Sequence, residues 1–135
     1  MEIVKVNSLE SAARKAFLEV ASHTELNIAI TGGNFGMAFL DQVIINNADI
    51  RSWNVFFTDE RITSTEKDVN SINLIKKLNK ARNLQEENIF PFNHSDDVSP
   101  YSNVARIIDI NNVKKFDITI LSLGDDGHLA GHFSN

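Results

Sequence analysis

The chain has 135 residues, of which 42% are hydrophobic and 23% charged, a size and composition that suit one globular domain with a core and argue against disorder. Its net charge of -5 and pI of about 5.3 argue against a nucleic-acid partner, and the lack of cysteine excludes disulfides, thiolate metal sites and a cysteine nucleophile. No stretch approaches the ~18 apolar residues of a membrane span and the first residues lack the apolar run of a signal peptide, so we expect no membrane partner and a cytoplasmic protein.

The amino-terminal half shows alternating strand and helix patterns. Residues 3–6 are apolar enough for a short strand, and Asn7 followed by Glu10 has the spacing of a capping box at the start of a first helix. The pattern goes on to predict a strand at 26–30, a helix at 35–45 and a strand at 53–57. The apolar residues that recur at helical spacing in the first helix are Leu9, Ala12, Ala13, Ala16, Phe17 and Val20.

The second half continues this alternation and predicts a single α/β domain over residues 1–135, with a Rossmann-like, doubly wound and mostly parallel sheet. Another helix is predicted to open at His128, and the chain stops a few residues into it. We therefore expect either a shortened chain or a fold that a partner, such as a second copy, completes. The elements predicted before that point are a helix over 70–82, a strand at 89–90, a helix from Ser99-Pro100 onward and a strand over 116–123.

Three of the predicted strands run directly into polar loops, and ligands of open α/β sheets bind at the carboxyl ends of strands. The first of these loops is Thr31-Gly32-Gly33-Asn34. Glycines let a backbone approach an anion closely, and the amides at the following helix start point toward it, so this turn is a candidate phosphate cradle. The alternative is a strand-to-helix turn that only needs positive φ. No Walker lysine or three-glycine dinucleotide motif accompanies it, which disfavours a nucleotide ligand.

The second loop carries the charged triplet Asp59-Glu60-Arg61. At the carboxyl end of a strand, Asp59 can act on a proton and Arg61 can hold a phosphate or carboxylate. The alternative is a solvated loop with a local ion pair.

The third loop, Gly124-Asp125-Asp126-Gly127-His128, follows the last strand. Neighbouring Asp and His side chains are typical of proton transfer near neutral pH, which makes His128 a candidate general base and Asp126 its partner. The alternative is a helix cap, because Asp is favourable at any helix start. The succession of strand, glycine, paired Asp and Gly-His favours the functional interpretation.

His128 and His132 are four residues apart, the spacing at which two histidines on one helix face can bind a metal. The sequence lacks the intervening Glu of a metalloprotease helix and shows no third ligand cluster. We therefore predict no metal site.

Taken together, these segments resemble the superfamily of 6-phosphogluconolactonases and glucosamine-6-phosphate isomerases. Thr31-Gly32-Gly33 resembles its sugar-phosphate loop, Phe57-Thr58-Asp59-Glu60-Arg61 its second motif and Asn70 its Asp-Ser-Asn element. The segment Leu123-Gly124-Asp125-Asp126-Gly127-His128-Leu129-Ala130, with Phe133, is similar to its Gly-x-Asp-Gly-His signature. Arg61 is closer to the lactonase branch. Two departures are Asn34, where the family usually has Ser or Thr, and Asp125, where lactonases commonly have proline.

The resemblance implies an enzyme of the pentose phosphate pathway that hydrolyses a small sugar phosphate, 6-phosphogluconolactone, without cofactor or metal. In this interpretation His128 activates a water that attacks the lactone carbonyl, while amides after Gly124, or Arg61, stabilise the oxyanion. The implied catalytic residues are His128, Asp126 and Asp59, and the implied substrate-binding residues are Thr31, Gly32, Gly33, Asn34, Arg61, Gly124 and Gly127.

Two alternatives stay open at this point. A glucosamine-6-phosphate isomerase or deaminase would use Asp59 as a base on the sugar carbon. A non-catalytic sugar-phosphate-binding relative is favoured by the short length and by Asp125. All three interpretations require Gly32, Asp59 and His128 to lie around one cavity.

Overall fold

The computed structural model describes residues 3–61, 69–92, 108–109 and 113–130. Helices and strands alternate along it, as the hydrophobic pattern predicts. The elements are α1 (Leu9–Val20), β1 (Glu25–Ile30), α2 (Asn34–Ile45), β2 (Ser52–Phe57), α3 (Asn70–Leu78), a single 3₁₀ turn (Glu86–Asn88), β3 (Ile89–Phe90) and β4 (Ile118–Ile120).

The described strands form one four-stranded parallel sheet in the order β3-β2-β1-β4. Helix α2 connects β1 to its neighbour β2, and α3 lies on the connection from β2 to β3. The chain then returns to place β4 on the other side of β1. This arrangement confirms the predicted α/β fold with a parallel sheet, and it reverses the direction of winding between β1 and β4.

The core lies where β1 and β2 meet the helices. Both strands are buried along their length after the first residue, apart from one half-buried position in each. The largest completely buried side chains include Trp53 of β2 and Phe39 of α2, which are 2% and 0% exposed. Burial of an aromatic side chain of this size stabilises the fold by roughly 2–3 kcal/mol. The indole nitrogen of Trp53 donates to the backbone oxygen of His23 at 3.2 Å, so its one polar atom is satisfied.

The amino terminus differs from the prediction in two ways. Residues 3–6 do not form a strand, and Ile3 is 82% exposed, because no described strand lies beside this segment to pair with it. The cap of α1 is Ser8 and not Asn7. Ser8 has extended backbone angles, and its hydroxyl accepts a hydrogen bond from the Ser11 amide at 3.1 Å, as an N-cap does.

Two further elements are shorter than predicted. Helix α3 ends at Leu78 and not at residue 82, with Asn79 as its C-cap, and asparagine favours such ends because its side chain competes for backbone hydrogen bonds. Strand β4 covers Ile118–Ile120 and not residues 116–123. Its partner β1 ends at Ile30, so the residues after Ile120 have no neighbouring strand to pair with.

Some predictions fall outside the described residues: most of the helix expected from Ser99-Pro100, and the positions of His132 and Phe133. In the portion of the chain that the structure describes, no helix is long and apolar enough to cross a membrane.

Candidate functional site

The strand order reverses its direction between β1 and β4, whose carboxyl ends lie side by side. Two backbone hydrogen bonds hold the strand ends side by side: the Thr31 amide donates to the Ile120 oxygen, and the Thr58 amide donates to the Ile30 oxygen, each at 3.1 Å. The loops after β1, β2 and β4 therefore leave the sheet at the same edge. This is the position at which open α/β sheets bind ligands.

Asp59 is the centre of a hydrogen-bonded cluster at this edge. Its Oδ1 accepts from the hydroxyl of Thr58 at 2.8 Å and from the hydroxyl of Thr31 at 3.3 Å. Its Oδ2 accepts from Nδ2 of Asn70 at 3.0 Å. The Asp59 carboxylate thus joins the loop after β1, the loop after β2 and the first residue of α3.

The Gly32-Gly33 turn is held against this cluster by a close contact. A Cβ atom at Gly32 would overlap the Cβ and Cγ atoms of Asn70, so only glycine lets the turn lie against the start of α3. Neither glycine has positive φ; among the described glycines that conformation belongs to Gly127 alone. The interpretation of the turn as one that needs positive φ is therefore wrong. Glycine is required at position 32 because the backbone there lies close to the Asn70 side chain.

Gly33 is different, because nothing lies within 4 Å of the position that its Cβ would occupy. It is the N-cap residue of α2, but it has no side chain to bond the first helical amides, and the first turn of α2 holds no acidic residue. Gly33 and Asn34 are both exposed. The start of α2 is thus an accessible set of amide donors beside the Asp59 cluster.

The loop after β4 is a tight turn that folds back on itself. The Gly127 amide donates to the Gly124 oxygen at 3.0 Å, and the Gly124 amide donates to the His128 oxygen at 2.9 Å. Leu123 and Leu129 then pair as an antiparallel bridge. Residues 128–130 are not helical, so the alternative in which the Asp pair caps a helix starting at His128 is wrong. Among the described residues, backbone pairing across the turn stands where a helix start at His128 was predicted.

This turn brings Asp126 and His128 into direct contact. Oδ1 of Asp126 bonds to Nδ1 of His128 and also accepts from the His128 amide at 3.3 Å. Gly124 lies under the imidazole, since a Cβ there would overlap the ring atoms Cε1 and Nδ1 of His128. Gly127 closes the turn with a φ of 85°. This conformation would strain a residue that has a Cβ atom, and glycine adopts it readily.

The bond to His128 holds the pKa of the Asp126 carboxyl below its usual range. Asp126 is therefore ionised near neutral pH and can only accept, so Nδ1 of His128 carries the proton that it donates. In that tautomer of the neutral ring, Nε2 is the basic nitrogen. The side chain of His128 is 35% exposed, which leaves the pair within reach of water and of a small ligand.

We expect the pair to be visible in a titration. Followed by the ¹³C shift of its carboxyl carbon, Asp126 should titrate below an ordinary aspartate, and His128→Ala should raise its midpoint toward the ordinary value. Since the pKa is lowered in the folded state, the pair stabilises the loop at pH values above the ordinary Asp pKa, and this contribution disappears as the pH falls through the lowered pKa. Equal midpoints in the two proteins would contradict the contact.

The residues proposed from the sequence therefore form two groups. Thr31, Gly32 and Asp59 lie in one cluster; Gly124, Asp126, Gly127 and His128 form the other. Both groups leave the same edge of the sheet, and the backbone bond from Thr31 to Ile120 joins the strands that carry them. Among the described residues no hydrogen bond links Asp59 to His128 directly. Arg61 follows Glu60 after β2 and is exposed.

Sequence reasoning missed three contributors to this site. Thr58 binds Asp59 directly. Glu60 accepts from the backbone amides at the start of α3. Gly36 has a backbone oxygen, that of Thr31, in the place of its missing Cβ. Thr58 and Glu60 lie next to Asp59 in the second motif, and this position could have indicated that they contribute to the site. Nothing in the sequence indicates a role for Gly36.

A depression of about 600 Å³ lies at the opposite edge of the sheet, where the strands begin. Its polar groups bond one another: Nδ2 of Asn54 donates to Oδ1 of Asn27, and the Asn27 amide donates to Asp117, each at 2.9 Å. It contains none of the candidate residues. The carboxyl edge of the sheet is therefore the better candidate for chemistry.

Comparison with known proteins identifies relatives. The profile of the family described as glucosamine-6-phosphate isomerases/6-phosphogluconolactonase matches residues 5–135. A protein of Arabidopsis thaliana named probable 6-phosphogluconolactonase 1 is 24% identical over 157 residues, which cover 100% of this chain and 57% of that protein.

Solved structures agree on the fold. The 6-phosphogluconolactonase of Thermotoga maritima superposes with a TM-score of 0.75 at 15% identity, over 98% of this chain and 63% of that one. A monomeric glucosamine-6-phosphate deaminase superposes with a TM-score of 0.74 at 14% identity, over 96% and 58%. The chain thus spans between 57% and 63% of the length of these three relatives.

Proposed function

We propose, since this chain belongs to the family of glucosamine-6-phosphate isomerases and 6-phosphogluconolactonases, that it hydrolyses the ring ester of 6-phosphogluconolactone. The observation that carries the proposal is the His128–Asp126 pair, on the loop after β4, at the edge that also carries the Gly32-Gly33 turn. An oriented imidazole beside an anion-binding turn is the combination that hydrolysis of a phosphorylated lactone requires.

The start of α2 supports a phosphate site at Gly32, Gly33 and Asn34. Among the described residues, helices α1 and α3 are capped by side chains, α1 by Ser8 and α3 by Glu60. Helix α2 has no side-chain cap among the described residues. Its first amides and the positive end of its dipole are therefore available to a phosphate group.

The proposed chemistry begins at Nε2 of His128, which takes a proton from water as the oxygen attacks the lactone carbonyl. The carbonyl becomes an oxyanion in the tetrahedral intermediate. When the intermediate collapses, the ring C–O bond breaks and the imidazolium returns its proton to the leaving alkoxide. Asp126 holds the ring and stabilises the imidazolium, as an orienting carboxylate does.

The geometry of the loop narrows the choice of oxyanion donors. The Gly127 and His128 amides already donate within the turn, to the Gly124 oxygen and to Asp126. We therefore assign the oxyanion to the Asp125 amide, which follows Gly124, or to the guanidinium of Arg61.

A second candidate is isomerisation and deamination of glucosamine 6-phosphate, favoured by the equally good superposition of a deaminase. This reaction would use Asp59 as a base on the sugar carbon. Both oxygens of Asp59 accept hydrogen bonds from neighbours that hold the loops together. Such a carboxylate is better placed to position the site than to move a proton, which supports the lactonase.

The test compares the disappearance of 6-phosphogluconolactone with and without the protein, above the spontaneous rate. We expect acceleration by the protein, no ammonia release from glucosamine 6-phosphate, and a higher melting temperature with the product 6-phosphogluconate. Ammonia release would favour the deaminase. Thermal stabilisation without turnover would identify a binding module, and an absence of both would reject a sugar-phosphate site. For this substrate we also propose a cytoplasmic location.

A further inference from the structure

Glu60 lies between Asp59 and Arg61 in the sequence, and its carboxylate accepts hydrogen bonds from backbone amides. Its Oε1 accepts from the Asn70 amide at 2.7 Å and from the Arg61 amide at 2.8 Å, and its Oε2 accepts from the Ser71 amide at 3.1 Å. Asn70 and Ser71 are the first two residues of α3. Both carboxylate oxygens are thus committed to backbone donors, two of them at a helix start.

Helix α3 needs this carboxylate because it has no local cap. The residue at its N-cap position is Val69, whose side chain has no hydrogen-bonding atom, and its first turn holds no acidic residue. Glu60 supplies both the acceptors and the negative charge that a helix start favours. It does so from ten residues before Asn70, in the loop after β2. The cap is therefore also a tether between the strand and the helix.

We propose that Glu60 is a positioning residue, which docks the start of α3 on the loop after β2 and thereby places the Asn70 side chain against Asp59 and Gly32. The consequence follows from two contacts already described: Nδ2 of Asn70 donates to Asp59 at 3.0 Å, and the same side chain fills the space over Gly32. A small displacement of the helix start therefore changes the position of Asp59 and of the glycine turn together. The inference rests on the proposed function only in its effect on turnover.

The rest of α3 is anchored independently of Glu60. Leu74 and Leu78 are 0% and 1% exposed and belong to the core. Removal of the carboxylate should therefore release the first turn of the helix while the helix as a whole stays in place. This separation makes the proposal testable in a folded protein.

The first experiment measures ¹H–¹⁵N NMR spectra of the wild type, of Glu60→Gln and of Ser8→Ala. Glu60→Gln should accelerate hydrogen exchange of the Asn70 and Ser71 amides at least tenfold and shift the side-chain NH₂ signal of Asn70. Ser8→Ala is the matched control, because it removes the cap of α1 and leaves α3 untouched. Unchanged Asn70 signals in Glu60→Gln, or the same change in both variants, would overturn the proposal.

A second variant separates the tether from an ordinary helix cap. Val69→Thr is nearly isosteric, and its hydroxyl lies at the N-cap position of α3, where threonine bonds the first amides well. In the double variant with Glu60→Gln, the new cap should restore thermal stability and leave the Asn70 side-chain signal displaced. Recovery of that signal along with stability would show that Glu60 only caps the helix, and would reject the tether.

Turnover gives an independent measurement. We expect Glu60→Gln to lower kcat/KM for the lactone about tenfold without moving the pH profile of kcat/KM, and Ser8→Ala to leave both unchanged. If the wild type has no lactonase activity, the NMR result still decides the role of Glu60. If the wild type is active and Glu60→Gln keeps both its kcat/KM and its Asn70 signals, the proposed function stands and the positioning role fails.

Discussion

Replacing His128 with alanine is expected to reduce the catalysed hydrolysis of 6-phosphogluconolactone by about 100- to 10,000-fold, the usual contribution of a general base. Nδ1 of the imidazole bonds to the carboxylate of Asp126, and this bond leaves Nε2 as the basic nitrogen. Its loss leaves the Gly32-Gly33 turn and the Asp59 cluster intact. We therefore expect kcat to fall while binding of 6-phosphogluconate changes little.

The measurement is the initial rate of lactone loss, corrected for spontaneous hydrolysis, together with a binding isotherm for 6-phosphogluconate. His23→Ala is the control, because His23 is exposed in the turn between α1 and β1 and contributes only its backbone oxygen to Trp53. Gly124→Ala is a companion variant that keeps the imidazole and displaces it, since the added methyl group would overlap the ring. A fully active His128→Ala protein would reject His128 as the base.

Gly36→Ala is expected to destabilise the protein by about 2 kcal/mol. The added methyl group would overlap the backbone oxygen of Thr31, which cannot move without shifting the end of β1. Overpacking of this kind costs roughly 1–3 kcal/mol or more, and the better helix propensity of alanine returns at most about 1 kcal/mol. Because Thr31 also bonds Asp59, we expect weaker binding of 6-phosphogluconate in the same variant.

Urea unfolding measures this loss as a lower midpoint. Gly33→Ala, three residues earlier, is the matched control for stability, since nothing lies within 4 Å of the added atom and the backbone there has negative φ. We expect its midpoint to change by much less than that of Gly36→Ala. Equal midpoints for the two variants would show that the contact with Thr31 does not limit the packing of α2.

Much of the fold follows from local patterns. Strands β1 and β2 and helix α2 lie within one residue of their predicted bounds, because short apolar runs and helical periodicity are properties of short segments. The three polar loops were also recognisable, since each follows an apolar strand directly. The errors occur where a local pattern depends on a neighbour: residues 3–6 have no described strand to pair with, and β4 stops where β1 stops.

The sequence by itself determined three things: the parallel α/β fold, the loops that follow the strands, and the family to which the chain belongs. Only the tertiary structure decided that β4 returns beside β1, that Glu60 caps α3, and that Gly32 fits against Asn70. The reason is the distance along the chain. Local dihedral preferences act over a few residues, whereas the bond between Thr31 and Asp59 spans 28 residues and the bond between Asn27 and Asp117 spans 90. Such contacts form only when the packed core brings the strand ends together.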